Sequence, residues 1–357
     1  MAYQPRVMLV IADSSRTGGP EHVITLARQL QAASWQALVV CPEGPLRERC
    51  AQAGIASAGL GMSGPQLAAA PVRLRQLARR FDADLVHSHA LRAGMMVRRA
   101  RTGLPWVHTH HLDGWFTTSR PRLMAHRHEL RLLAARADRQ IAVSAAVLEF
   151  LEVELGVGGA HLRLVANGID PLRPRLRPRP AGARVGTLAR LTHAKGIDLA
   201  VMALAAPAGR DLSLLVGGSG PELRSLIDLA ASLGVASRVH FLGDVADRQQ
   251  FFDSCDVVWV PSREEPFGLV ACEAMSAGVP VVASRVGGLP EILDPPNSGV
   301  LVGPANPAAL ASVTAALLAD SERYQRLSGA GVERVLQHFS AQKMGALTRG
   351  VYREVLR

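Results

Sequence analysis

Two carboxylates, Glu265 and Glu273, have seven residues between them in the segment PSREEPFGLVACEAMSAGVPVV, residues 261–282. An apolar run precedes the Pro-Phe-Gly turn, a helix of small residues follows it, and a second apolar run ends the segment, which predicts a βαβ unit. Ligands of a parallel sheet bind at the carboxyl ends of strands, against helix N-termini. Gly268 lets the backbone approach a ligand there, so helix amides can hold a phosphate while the carboxylates accept hydrogen bonds from sugar hydroxyls. The alternative is an acid that caps the helix and a second acid on its solvated face.

A pair of basic residues, Arg190 and Lys195, follows the first apolar run of the second half of the chain. Two positive charges in one strand-to-helix turn can bind a diphosphate and stabilise it as a leaving group. Lys195 is one of only two lysines in the chain, the other being Lys343, although arginine is abundant. The alternative is two surface bases on a loop.

Glycine-rich turns follow two other predicted strands. Gly18 and Gly19 open the first helix, where they allow a backbone to approach a substrate without obstruction by Cβ. Gly218 lies in the turn VGGSGPE, which does not match the dinucleotide fingerprint Gly-x-Gly-x-x-Gly and is a weak signal by itself. Leu242 and Val245 come after the next predicted strand, where they can line a pocket for a base or pack in the core.

Histidines are dense in the first half: His87 and His89 form one group, and His108, His110 and His111 form another. Together with Asp113, the second group raises the possibility of a metal site. However, His108 and His110 alternate along a predicted strand, and no flanking Cys or Glu completes a ligand set. The pair Asp82 and Asp84 is interpreted as a helix-to-strand turn, so we expect no metal requirement.

Length and composition indicate a two-domain globular protein. The 357 residues exceed one ordinary core and suit two domains of about 170 residues each. No apolar run approaches the roughly 20 residues of a membrane span, and the run at residues 7–12 is too short for a signal peptide. We therefore expect a cytoplasmic protein. The four cysteines include no Cys-x-x-Cys, which favours reduced structural thiols.

The formal net charge of +10 is unevenly distributed. Residues 1–170 carry +7, residues 171–184 carry +5 and residues 185–357 carry −2. This asymmetry favours an anionic partner for the first half, either a phosphorylated acceptor or a membrane surface. A coding bias toward arginine is the alternative explanation.

A Pro/Arg-rich segment divides the chain. The divisions are an N-terminal domain at 1–170, an extended linker at 171–184, a C-terminal domain at 185–340 and a final helix at 341–357. Both halves alternate short apolar runs with helical stretches, which predicts two Rossmann-like α/β domains facing across a cleft. The predicted strands are Arg6–Ala12, Ala37–Cys41, Leu85–His87, Trp106–Thr109, Gln140–Val143, Leu162–Val165, Ala183–Ala189, Leu212–Gly217, Val239–Leu242, Val257–Pro261, Val279–Ala283 and Gly299–Leu301.

These motifs, in this order, resemble those of the GT4 family of retaining glycosyltransferases, which use nucleotide sugars and have the GT-B fold. The pair Glu265 and Glu273 is similar to the family's Glu-x7-Glu signature, and Arg190 with Lys195 resembles its diphosphate-binding pair. The segment PWVHTHH resembles the family pattern that ends in an acceptor-side histidine, which aligns with His111, with His110 as the alternative. The resemblance also implies that the final helix packs on the first domain.

The resemblance implies that the domain at 1–170 is the acceptor-side domain and that the domain at 185–340 is the donor domain. It also implies a role for each matching residue. Arg190 and Lys195 would hold the diphosphate, Glu273 would bind ribose hydroxyls, and His111 would contact the donor sugar at the reacting carbon. The implied catalytic residues are His111, Arg190, Lys195 and Glu265. The implied donor-binding residues are Gly18, Gly19, Arg190, Lys195, Gly218, Leu242, Val245, Glu265, Phe267, Gly268, Leu269 and Glu273.

The implied function is transfer of a sugar from a UDP- or GDP-linked donor to an acceptor hydroxyl with retention of configuration, in glycan, lipopolysaccharide or glycolipid assembly. No metal or other cofactor is implied. The acceptor is expected to be anionic or lipid-linked. The basic stretch at residues 120–139 can either contact an anionic membrane or form a core-facing helix with a solvated basic face, which is favoured.

Two other functions remain as alternatives. A sugar-nucleotide 2-epimerase shares the GT-B architecture but needs acids placed for proton abstraction in both domains. A basic nucleic-acid-binding protein needs aromatic residues among its basic patches, and this chain has only 4% aromatic residues. We therefore expect no nucleic-acid partner.

Overall fold

The chain forms two compact units, here called unit 1 (residues 1–170 and 341–357) and unit 2 (residues 171–340). The computed structural model describes residues 3–15, 17–112, 120–157, 159–175 and 183–356. Each unit is a parallel β-sheet with helices in its crossovers, so the α/β, Rossmann-like fold class expected from the sequence is confirmed.

Unit 1 contains a seven-stranded parallel sheet in the order β3-β2-β1-β4-β5-β6-β7. Its strands are β1 (Arg6–Ile11), β2 (Gln36–Cys41), β3 (Ala56–Gly59), β4 (Leu85–His89), β5 (Trp106–His110), β6 (Arg139–Ala142) and β7 (Leu162–Leu164). Its crossover helices are α1 (Gly18–Ala32), α2 (Pro45–Gln52), α3 (Ala70–Phe81), α4 (Ala90–Ala100), α5 (Arg120–Ala134) and α6 (Ala145–Glu149). The order reverses between β1 and β4, where Ile11 pairs with His89, so the switch point of this sheet lies at the carboxyl ends of these strands.

Unit 2 contains a six-stranded parallel sheet in the order β10-β9-β8-β11-β12-β13. Its strands are β8 (Ala183–Leu188), β9 (Leu212–Gly217), β10 (Val239–Gly243), β11 (Val257–Val260), β12 (Val281–Ser284) and β13 (Val300–Val302). Its helices are α7 (Ile197–Ala205), α8 (Leu223–Ser232), α9 (Arg248–Asp253), α10 (Leu269–Ser276), α11 (Leu289–Leu293), α12 (Pro307–Ala319) and α13 (Ser321–His338). Here the order reverses between β8 and β11, which pair through Val257 with Val185 and Val258 with Gly186.

The final helix, α14 (Ala341–Val355), belongs to unit 1 and packs against α1. Its Met344, Val351 and Tyr352 join the unit 1 core. The Tyr352 hydroxyl lies 2.6 Å from Nδ1 of His87 on β4. Unit 1 is therefore completed by residues that follow unit 2 in the sequence.

Three sequence predictions need correction. Strand β3 was not predicted, because Ala-Ser-Ala-Gly has neither apolar alternation nor β-branched residues. Residues 171–175 are not a free linker, since they belong to unit 2. Their backbone amides are bonded there: Leu172 donates to Oγ of Ser276, Arg173 to Oε1 of Gln249, and Arg175 to the Ala277 carbonyl. Strand β8 also begins inside the predicted linker, at Ala183; residues 176–182 lie outside the described residues.

Three further features bear on the expectations. Helix α5 buries Leu130 and Leu133 while Met124 is 71% exposed, as a core-facing helix requires. None of the helices among the described residues combines the length and the apolarity that crossing a membrane requires. All four cysteines are free and buried, and burial raises the pKa of Cys41 and of Cys255 to about 12.

Candidate active site

The turns after β8 and β11 meet at the switch point of unit 2, because these two strands are neighbours in the sheet. Arg190 follows β8 and is exposed, and Lys195 ends a short 3₁₀ turn that leads into α7. Gly196 then adopts φ +65°, and a Cβ built there would lie 2.1 Å from the Pro261 carbonyl oxygen. The glycine therefore permits the close approach that brings the two turns together.

Lys195 and Glu265 form a bidentate ion pair between these turns. The lysine Nζ lies 3.0 Å from both carboxylate oxygens, and the Ser262 hydroxyl donates to Oε2 of Glu265 at 3.0 Å. The Glu265 side chain is only 13% exposed. Thus two residues that the sequence places 70 positions apart share one site, and Ser262, which sequence reasoning missed, orients the carboxylate.

Arg263 fastens the same loop to α7. Its guanidinium donates to both oxygens of Asp198, at 2.7 and 2.6 Å, and its backbone amide donates to the Ala194 carbonyl at 2.8 Å. Although burial acts to raise the pKa of Asp198, the hydrogen bonds and charge of Arg263 lower it overall. This pair fixes the loop that carries Glu265 against the turn that carries Lys195.

Helix α10 begins directly after this loop. Gly268 has φ +120° and Leu269 is the first helical residue, so the amides of the first turn lack intrahelical acceptors. The Phe267 side chain is 4% exposed and packs edge-on against Phe339, with ring centroids 5.8 Å apart. Only the Phe267 backbone is available to a ligand.

Glu273 lies one turn further along α10 and is paired with an arginine that sequence reasoning missed. Nη1 of Arg248, at the start of α9, lies 3.0 Å from Oε2 of Glu273. Both side chains are largely buried, at 27% and 16% exposure. The pair has no signal in the sequence, because α9 and α10 are separated by strand β11.

The remaining predicted residues of unit 2 surround the turn after β9. Gly218 has φ +115°, and a Cβ there would lie 1.9 Å from the Ala189 carbonyl oxygen, so the turn requires glycine. The Gly218 amide donates to the Gly243 carbonyl at 2.7 Å, which ties this turn to the end of β10. At the end of β10, Leu242 is 49% exposed, and Val245 just after the strand is half-buried, so both side chains can contact a ligand.

Unit 1 has a cavity of about 590 Å³ at its own switch point. Gly19 on α1 and His111 after β5 line it, as do His89 at the end of β4 and two arginines of α4, Arg92 and Arg99. Gly18 begins α1 beside this cavity. A Cβ at Gly19 would meet only Cδ1 of Ile11, at 3.4 Å, so packing within unit 1 does not by itself demand a glycine there.

The buried histidines of unit 1 are neutral side chains with different partners. His87 bonds to Tyr352 and Thr109, His108 to Ser88, and His110 to Gln140 at 2.9 Å. Burial lowers the pKa of His110 to about 4. The metal ligand set considered for His108, His110, His111 and Asp113 is therefore not assembled within the described residues, and Asp113 lies outside them.

Two family models together match nearly the whole chain: "Glycosyltransferase Family 4" matches residues 16–173 and "Glycosyl transferases group 1" matches residues 170–334. Glycogen synthase of Mycobacterium tuberculosis is 32% identical over 302 residues, which cover 79% of this chain and 72% of the relative. The chain belongs to the GT4-type glycosyltransferases. A D-inositol 3-phosphate glycosyltransferase of Nocardia farcinica is 33% identical over 285 residues, which cover 71% of this chain and 63% of the relative.

Solved structures agree with a GT-B fold. HepE of Anabaena, in complex with UDP-glucose, superposes with a TM-score of 0.86 at 23% identity and covers 98% of this chain and 99% of that chain. As a GT4-type enzyme, the protein transfers glycosyl groups from nucleotide sugars. Neither the epimerase nor the nucleic-acid-binding alternative is favoured.

Proposed function

We propose that this GT4-type enzyme transfers a sugar from a UDP- or GDP-linked donor to an acceptor hydroxyl with retention of anomeric configuration. The Lys195–Glu265 pair at the switch point of unit 2 carries this proposal, because it places a partly buried cation and a carboxylate beside the N-terminus of α10. A nucleotide diphosphate sugar offers partners for all three: phosphates for the lysine and the amides, and hydroxyls for the carboxylate.

The donor is proposed to lie along unit 2 with each part on its own residues. Lys195 and Arg190 bind the diphosphate together with the amides of Gly268 and Leu269. Glu273 accepts hydrogen bonds from ribose hydroxyls, and Leu242, Val245 and the Gly218 turn border the base. The UDP-glucose complex of the HepE structure supports a UDP donor.

The proposed chemistry needs no side-chain base. The bond between the anomeric carbon and the diphosphate oxygen breaks while Lys195 and Arg190 stabilise the charge that develops on that oxygen. The acceptor oxygen then bonds to the same face of the anomeric carbon, and its proton passes to the departing diphosphate oxygen. His111 contacts the sugar near the reacting carbon. We propose that these cations replace a divalent metal in this step.

The acceptor is proposed to bind in the cavity of unit 1. Arg92 and Arg99 lie seven positions apart on one face of α4, and no ion pair is found for either among the described residues. They suit an acceptor with a phosphate or carboxylate, although Asp13 and Glu129 also line the cavity. The Nocardia relative, named for an inositol phosphate, supports a phosphorylated acceptor. Assembly of a glycan, lipopolysaccharide or glycolipid, at an anionic membrane surface inside the cell, is the proposed setting.

The testing experiment is thermal unfolding with UDP, GDP, ADP and TDP, each with and without EDTA. A ligand that binds the folded state raises the apparent stability by mass action. We expect a shift with UDP or GDP that EDTA leaves unchanged. A shift that disappears in EDTA would contradict metal-independent binding, and no shift with any diphosphate would contradict the placement of the donor.

A further inference from the structure

Three histidines from separate elements of unit 1 converge at its switch point. His22 lies on α1, His89 ends β4 and His111 follows β5. The ring centroid of His22 lies 5.1 Å from that of His89 and 4.9 Å from that of His111. One nitrogen of each ring lies within 4.8 Å of one nitrogen of both others.

These imidazoles are buried and carry lone pairs. His22 is 3% exposed, His89 0% and His111 7%. A neutral imidazole has a lone pair that can coordinate a metal ion.

Their hydrogen bonding is incomplete. Among the described residues, neither nitrogen of His22 has a hydrogen-bond partner, and Nε2 of His89 also has none. Nδ1 of His89 and Nε2 of His111 lie 3.4 Å apart, at the long limit of a hydrogen bond. A buried polar atom without a partner is destabilising, so the trio favours a ligand that can accept several lone pairs.

The spacing of His89 and His111 also suits a shared metal ion. Two nitrogens bound to one tetrahedral zinc ion at about 2.0–2.1 Å lie roughly 3.3 Å apart, close to the distance between His89 and His111. Both of these residues line the 590 Å³ cavity, which gives an ion access from solvent and leaves a fourth position for water.

We infer that His22, His89 and His111 form a binding site for one transition-metal ion that prefers imidazole, such as Zn²⁺, with an open position toward the cavity. Imidazole ligands suit zinc, copper, iron and nickel, whereas Mg²⁺ and Ca²⁺ prefer oxygen. This inference does not rest on the proposed function, since it concerns binding alone. A metal ion at this site would coordinate the His111 nitrogen that contacts the sugar in the proposed transfer.

The test uses the full chain and Co²⁺ as the probe. Metal-free protein is dialysed against Co²⁺, metal content is measured by mass spectrometry, and the visible spectrum reports the coordination geometry. We expect one Co²⁺ per chain with the strong absorption of a tetrahedral site, displaced by Zn²⁺. His22→Gln should abolish this absorption, and the control His108→Gln, also buried but bonded to Ser88, should retain it.

A further measurement makes the outcome decisive. X-ray absorption on zinc-loaded wild type should count three imidazole ligands, so the result does not depend on the folding of a variant. Less than stoichiometric metal after dialysis, fewer than three imidazoles, or equal binding by His22→Gln would each overturn the inference.

Discussion

At the scale of single residues, each carboxylate of the Glu-x7-Glu motif is held by a cation from another element. Lys195 reaches Glu265 from the turn after β8, and Arg248 reaches Glu273 from α9. The first pairing could be anticipated, because neighbouring parallel strands end at the same sheet edge. The second pairing and the position of His22 could not, because helix faces and side-chain rotamers decide them.

Replacement of Lys195 tests the diphosphate site. Lys195→Ala should weaken binding of the preferred nucleoside diphosphate about 10- to 100-fold, since a hydrogen bond to a charged group contributes about 1.5–3 kcal/mol. Turnover should fall as well, because the same charge stabilises the leaving group. Isothermal titration and steady-state kinetics measure both effects. Lys343→Ala removes the only other lysine, on the surface of α14, and is the matched control; equal losses in both variants would refute the assignment.

Replacement of Arg248 tests the ribose site. Arg248→Ala leaves the Glu273 carboxylate without its 3.0 Å partner, so its orientation toward the ribose should be lost. We expect the donor KM to rise several-fold with a smaller change in kcat, because ribose is bound alike in the ground and transition states. Arg224→Ala breaks an exposed ion pair with Asp228 and should leave both constants unchanged. A fall in kcat alone would indicate a different role.

At the scale of elements, turns at the carboxyl ends of the strands build the site. Alternating apolar runs and helices predicted nearly every strand, since both faces of a parallel sheet are buried. Strand β3 could not be predicted, because its four small residues carry no hydrophobic pattern. The close approaches of Gly196 and Gly218 to backbone carbonyls could not be predicted either, because the identity of a glycine does not show which backbone atom it faces.

Alanine substitutions at two glycines distinguish the effect of close packing on stability from the effect of backbone strain. In Gly218→Ala, the new Cβ meets the Ala189 carbonyl and the backbone stays at φ +115°. In Gly234→Ala, the backbone stays at φ +68° but nothing lies within 4 Å. The Gly234 variant should lose about 1–2 kcal/mol of unfolding free energy, and the Gly218 variant should lose more. Urea denaturation measures both, and equal losses would mean that the Gly218 turn can move away.

The Arg263–Asp198 pair should make stability depend on pH. Because the folded-state pKa of Asp198 is lowered, its contribution is present above the unfolded pKa, about 3.9, and is lost as the pH falls through the folded pKa. Asp198→Asn should therefore cost about 1–2 kcal/mol at pH 7 and converge with wild type in acid. Denaturation from pH 7 to pH 3 measures this, with Asp228→Asn as the exposed control. A constant difference across this range would exclude the ion pair as its cause.

At the scale of the whole molecule, the chain returns to unit 1 after it has formed unit 2. The sequence placed the division at residue 170 correctly, because a run of prolines and arginines follows it. The return of α14 was expected only from the family resemblance, since an amphipathic helix does not reveal which domain it covers. Its buried Tyr352, between Trp35 and His87, shows how deeply it enters that core.

Tyr352→Phe tests how much the hydrogen bond from α14 to His87 contributes to the stability of unit 1. The substitution keeps the ring but leaves Nδ1 of buried His87 without its 2.6 Å partner, so unit 1 should lose about 1–3 kcal/mol. Tyr324→Phe, which removes a hydroxyl bonded to the Asp256 carbonyl, makes the same change in unit 2. Hydrogen exchange should assign each loss to its own unit. Exchange in unit 1 that is unaffected by Tyr352→Phe would show that α14 contributes no core stability through this bond.

The discontinuity of unit 1 has a consequence for biosynthesis. A ribosome must add the 170 residues from 171 to 340 between the first part of unit 1 and the helix that completes it. At about 5–20 residues per second this takes roughly 10–35 s. Throughout that time, the surface of α1 that later receives α14 is uncovered on the nascent chain. The N-terminal half is therefore expected to need chaperone protection, and separate expression of residues 1–170 is expected to yield aggregates.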